Sequence, residues 1–102
     1  MSSYTSYKIR AIEIVGDYMV DMGLNDGDLC FFICNEIRGN NLYALSYQGE
    51  LSIKRVVFDS FNKKINIKSE NKKFNYPDLS LEESDPNLVI LGKVKCWIHG
   101  YS

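Results

Sequence analysis

A chain of 102 residues sets the scale of one domain, which when compact buries roughly 60–70% of its unfolded surface. Its 45% hydrophobic, 13% aromatic and 25% charged residues exclude a disordered chain, and 12 basic against 13 acidic residues exclude a charge field that would hold the whole domain on nucleic acid or an anionic membrane. No run approaches the ~18 apolar residues that span a bilayer, and Met1-Ser2-Ser3-Tyr4 lacks the charged and apolar regions of a secretory signal, so a cytoplasmic chain with no membrane partner is expected.

Residues 1–6 read as a polar lead-in and 7–102 as a single core domain. Lys8 to Val15 mixes apolar and charged positions as a first strand with one wet face does. Gly16-Asp17 reads as a turn. Tyr18 to Leu24 reads as a helical turn, since Met19 and Met22 fall three apart and Gly23 can end it. Asn25-Asp26-Gly27-Asp28 is a second turn, because glycine takes positive φ freely while Asn and Asp bond the nearby backbone. Leu29 to Cys34 is apolar on both faces, as in a strand covered on both sides, and Glu36 to Asn41 predicts a hairpin into the strand Asn41–Tyr47. Gln48-Gly49 is the next tight turn and Glu50–Asp59 the next strand. Its period of two sets Leu51, Ile53, Arg55 and Val57 on one face, and Ser52, Lys54, Val56 and Phe58 on the other.

Ile65-Asn66-Ile67-Lys68 alternates as a half-exposed strand. Ser69 to Pro86 holds both prolines and predicts a long surface loop with a short edge strand near Phe74. Leu88 to His99 is the final strand, with Gly92 a bulge or close-approach point. About seven strands and almost no helix predict an all-β fold.

Four elements, in this order, carry a resemblance. They are Gly16-Asp17-Tyr18-Met19 with Gly27-Asp28, then Leu51-Ser52-Ile53-Lys54-Arg55-Val56, then Lys68-Ser69-Glu70-Asn71-Lys72-Lys73-Phe74, and finally Ile90-Leu91-Gly92-Lys93-Val94. Together they resemble the C-terminal domains of the LexA and phage-repressor class, UmuD-like proteins included. Those domains carry Gly-Asp-Ser-Met, a second Gly-Asp and a lysine on a downstream strand.

The resemblance implies a LexA/signal-peptidase-like β-ribbon fold, a Ser-Lys self-cleaving site, and a homodimer that pairs N-terminal helix-turn-helix domains lying outside this chain. It also implies a transcriptional repressor of phage or mobile-element type and an SOS-type response through a RecA-type activator, with no cofactor. Two departures stand out. Tyr18 occupies the serine position, and Tyr18 to Gly27 is one residue longer than the family spacing, with Asp21 or Met22 where proline is frequent. The family chemistry needs a hydroxyl activated by a neutral lysine. A phenol is bulkier and places its oxygen farther from the backbone, so the expectation is a degenerate peptidase acting as a dimerisation and effector domain. The alternatives are residual self-cleavage using Ser46 or Ser52, and a module that senses a ligand or peptide in the emptied cleft.

The Tyr18 hydroxyl is expected near the Lys54 amine, filling that cleft. Val94, Cys96, Trp97, Ile98 and Tyr101 supply the aromatic and aliphatic groups expected of the dimer interface. The three cysteines read as reduced, buried small hydrophobes. A zinc set of Cys30, Cys34, Cys96 and His99 is disfavoured, since Cys30 and Cys34 on an extended strand lie about 13 Å apart. His99 reads as a surface residue. Lys63, Lys64, Lys68, Lys72 and Lys73 read as solvated hairpin lysines protecting an edge rather than as a phosphate grip.

Overall fold

The computed structural model describes residues 8–100; the lead-in 1–6 and Tyr101 lie outside them. Seven antiparallel strands form one sheet: β1 (Ile9–Glu13), β2 (Leu29–Cys34), β3 (Asn41–Tyr47), β4 (Glu50–Asp59), β5 (Lys64–Lys68), β6 (Leu79–Glu82) and β7 (Leu88–Ile98). The only helical element among the described residues is a 3-10 turn, Val20–Met22, closed by Gly23 at φ 83°. The all-β expectation holds. Among the described residues, no helix is long and apolar enough to cross a membrane.

The strand order is β1-β2-β7-β3-β4-β5-β6, which overturns the expected β2–β3 hairpin. β7 lies between them, pairing Cys34 with Gly92 on one side and Ala44 with Gly92 on the other. The segment from Asn35 to Asn40 is long enough to straddle a strand, since two ladder spacings are about 10 Å. It also bonds to β7 directly, through Asn35 N to Leu91 O at 2.8 Å and Lys93 N to Glu36 O at 3.0 Å. The edge strand expected near Phe74 is at Leu79–Glu82 instead. Asn71 Oδ1 accepts from Lys73 N at 3.1 Å and Phe74 N at 3.3 Å, so those amides are consumed in a local turn rather than a ladder.

Alternation along the strands feeds two cores. Leu42 and Ala44 of β3 and Ile53 of β4 join Cys30, Phe32, Met19 and Leu24 in the first. Tyr43 and Leu45 of β3 and Val56 of β4 join Ile65, Ile67 and Leu81 in the second. A strand serving two cores must be apolar at consecutive positions, as Leu42 to Leu45 is. Each fully buried leucine contributes roughly 1.5–3 kcal/mol. Tyr43 is buried with its polar end satisfied, its hydroxyl donating to Gly39 O at 2.7 Å and accepting from Arg38 N at 2.8 Å. The cysteines divide: Cys30 is buried, Cys34 half-buried and Cys96 exposed, so the expectation of three buried thiols fails at Cys96. The reason is parity, because Cys96 pairs with Phe31 on the sheet face opposite Cys30.

Candidate functional site

The two Gly-Asp turns lie side by side. Ile14 N donates to Asp28 O and Gly27 N to Ile14 O, both at 2.8 Å, while Gly16 N donates to Asp26 Oδ1 at 2.8 Å. Gly16 and Gly27 sit at φ 90° and 89°, where a β-carbon is strained, which is why glycine suits both turns. Asp28 is buried and acts as a clasp. It accepts from Asn25 N at 2.8 Å and Gly100 N at 3.2 Å, and His99 Nδ1 lies 3.1 Å away. The bond from the Asn25 amide, with those from Gly100 and His99, holds its carboxyl below the usual 3.8. His99 is on the surface, as its position suggested, yet it is tied to a buried carboxylate that the sequence did not reveal.

Asp17 and Met19 fasten the first turn to the loop after β5. Asp17 O accepts from Asn71 Nδ2 at 2.7 Å, and its Oδ1 accepts from the Tyr76 hydroxyl at 2.6 Å, which pushes that phenol up to about 12. Met19 is 2% exposed and fills the first core. Glu70 N donates to Tyr18 O at 2.8 Å and Asp21 N to Glu70 O at 2.8 Å, while Arg55 and Glu70 form an ion pair behind them.

Between these supports stand Tyr18 and Lys54. Lys54 Nζ lies 3.8 Å from the centroid of the Tyr18 ring, so the two residues meet. The contact is through the ring face and not through the expected hydroxyl. Tyr18 leans on Tyr76, with centroids 4.5 Å apart, and this lays its ring flat above the ammonium. The hydrogen bond of Lys54 goes to Ser69 Oγ at 2.9 Å. Ser46 and Ser52, the serines considered as stand-ins, are not its partner. Ser69 sits one residue beyond the Arg55–Lys68 pair, in register with Lys54, a relation that only the strand pairing discloses. Burial pushes the Lys54 amine below its usual 10.5, against the opposite pull of Glu50.

Lys54 opens on a cleft of about 510 Å³. Its walls are Ile12 to Val15 at the end of β1 and Glu50 to Lys54 at the start of β4, with Leu45, Ile67 and Leu79 below. Both walls are strand edges. β1 is the last strand of the sheet, and the ladder from β4 to β5 begins only at Arg55. The cleft therefore offers unpaired backbone on two sides and an apolar floor.

The residues singled out for an interface divide by face. Val94 and Trp97 pack against the first core. Cys96 and Ile98 point to the opposite face, Ile98 being 56% exposed. There they share a face of β1, β2 and β7 with Ile9, 56% exposed, Ala11, Phe31 and Ile33, a face that also carries Glu13 and Lys93.

Two comparisons bear on this arrangement. A family model described as Peptidase S24-like matches residues 2–95, a span holding both Gly-Asp turns, Lys54 and the Ser69–Phe74 segment. No curated protein matches the chain.

Proposed function

The chain belongs to the S24-like peptidase family, the group of LexA and UmuD type, and from that premise we propose that it is a catalytically silent C-terminal domain that joins two copies of a repressor. The reading rests first on the apolar residues that share the outer face of β1, β2 and β7, with half-buried Phe31 and Ile33 and exposed Cys96 and Ile98 as their centre. A second copy related by a two-fold axis presents the same surface and covers it. Silence is supported at the cleft. Tyr18 stands where the resemblance puts the nucleophile, its ring lies over Lys54, and the amine bonds to Ser69, which is absent from the cleft wall. Operator duplex is then read by a domain outside this chain, the setting is the cytoplasm, and an activator of RecA type has no cleavage to trigger.

Sedimentation equilibrium at micromolar concentration tests the association. About twice the chain mass is expected, falling to a single chain mass in Ile98→Asp; a clean monomer for the unaltered chain defeats the reading. Silence has its own check, since the intact mass should survive prolonged incubation at alkaline pH, where a deprotonated amine would act. Two fragments whose masses sum to the whole would restore the peptidase.

A second reading is favoured by the open strand edges flanking the cleft. An extended peptide laid between β1 and β4 would satisfy both sets of backbone groups and seat alternate apolar side chains on Ile53, Ile67 and Leu79. A rise in melting temperature on adding such a peptide, abolished by Ile53→Asp, supports it.

A further inference from the structure

Leading outward from Tyr18 at the cleft, three aromatic rings form a file on the surface that belongs to neither core. The Tyr18 and Tyr76 centroids are 4.5 Å apart, and Phe74 follows 6.1 Å from Tyr76, successive planes being tilted by 41° and 40°. Lys54 closes the inner end. The outer end is open, with Phe74 57% exposed.

The loop that presents Phe74 is pinned. Asn71, 5% exposed, reaches Asp17 O with its amide and receives Lys73 N and Phe74 N on its oxygen. Tyr76 is held by Asp17, and Lys72 N donates to Asp21 Oδ2 at 2.7 Å. The rings are thus held at a fixed spacing before any ligand arrives, which removes part of the entropy cost of binding.

Charge around the file is uneven in a way the overall balance conceals. Each neighbouring carboxylate is engaged: Asp17 by Tyr76, Asp21 by the Lys72 backbone, Glu70 by Arg55, and Asp78 by Lys68 at 3.9 Å. Lys72 and Lys73 are exposed and have no carboxylate partner among the described residues, and Lys73 Nζ lies 5.6 Å from the Phe74 centroid. An open aromatic stack beside two free ammonium groups suits a ligand that repeats one planar group for each anion. A proline-rich peptide would use the rings and leave the ammonium groups idle, and an acidic peptide would do the reverse.

We propose that Phe74, backed by Tyr76 and flanked by Lys72 and Lys73, is a stacking site for single-stranded nucleic acid. One base continues the file on the Phe74 ring, and its neighbouring phosphates meet the two lysines. With 12 basic against 13 acidic residues, stacking carries more of the affinity than the overall field does. Two neutralised phosphates give a log K against log salt slope of only about −1.4.

Fluorescence anisotropy of a fluorescein-labelled ten-residue oligo-dT in low salt tests the site. Saturable binding is expected, weakened about tenfold in Phe74→Ala and equally in Phe74→Leu, which keeps the bulk and loses the π face. Each of Lys72→Gln and Lys73→Gln should flatten the salt slope by ~0.7. Melting curves of the variants should overlay the unaltered chain, because Phe74 is exposed. The same affinity in Phe74→Ala, duplex bound as tightly as the single strand, or a proline-rich decapeptide bound where the oligonucleotide is not, would each overturn the proposal. Sedimentation without oligonucleotide reports separately on self-association.

Discussion

Lys54 shows how one side chain records what its surroundings allow. Its ammonium is partly desolvated, accepted by Ser69 and capped by the Tyr18 ring, and the desolvation dominates, setting its pKa below 10.5. The unfolded chain therefore binds more protons than the folded one between the folded pKa and 10.5, and stability rises with pH across that window. Below the window the cost is constant. Urea titrations of the unaltered chain and of Lys54→Met should diverge there, the difference curve climbing towards alkaline pH and lying flat near neutrality. A flat difference throughout would mean an amine as well solvated as any surface lysine. Asp28 works in the opposite sense. Its carboxyl is held below 3.8, so its contribution is complete above that value and is lost as the pH falls beneath it.

At the scale of elements, β7 is the strand with least freedom to vary. A β-carbon on Gly92 would lie 1.9 Å from Ile33 O and 3.1 Å from Cys34 Cα, both backbone atoms of β2. The neighbour cannot swing aside, so Gly92→Ala should cost about 3 kcal/mol, the upper end for over-packing, and lower the melting temperature by roughly 10–20 °C. A variant melting within a few degrees of the parent would show that β2 can retreat.

The strands themselves were legible in the sequence. Leu29–Cys34, Asn41–Tyr47 and Glu50–Asp59 fall where alternation and the Gly-containing turns place them, because local pattern decides whether a segment is extended. Their order was not legible. Nothing within Glu36 to Asn41 states that β7 will enter between β2 and β3, since that depends on a segment some fifty residues later. The same limit applied at the site. The meeting of Tyr18 with Lys54 followed from motif order, whereas the Ser69 bond and the Asp28–His99 contact depend on register across strands. Cys96 went wrong by parity alone, an error that a single bulge introduces: the pairing of β2 with β7 shifts between Phe31 and Phe32.

For the whole molecule, the described residues span 51 × 39 × 22 Å with a radius of gyration of 14.3 Å, against about 13 Å for a compact chain of a hundred residues. A second copy on the outer face of β1, β2 and β7 would thicken this flattened body towards ordinary proportions. The same topology governs folding. Pairings that join β7 to β2 and β3 close long loops before they yield contacts, so refolding should take milliseconds to seconds by stopped-flow fluorescence of Trp97, a β7 residue packed on the first core. Microsecond refolding would contradict that order of assembly. In the cell, a ribosome releases β2 and β3 well before β7. Until Leu88–Ile98 leaves the exit tunnel, each half of the sheet shows a bare edge shaped for a strand not yet available. Nascent chains stalled ahead of Leu88 are then the species most prone to pair with one another, and slow codons in β7 would lengthen that exposure while leaving the finished protein unchanged.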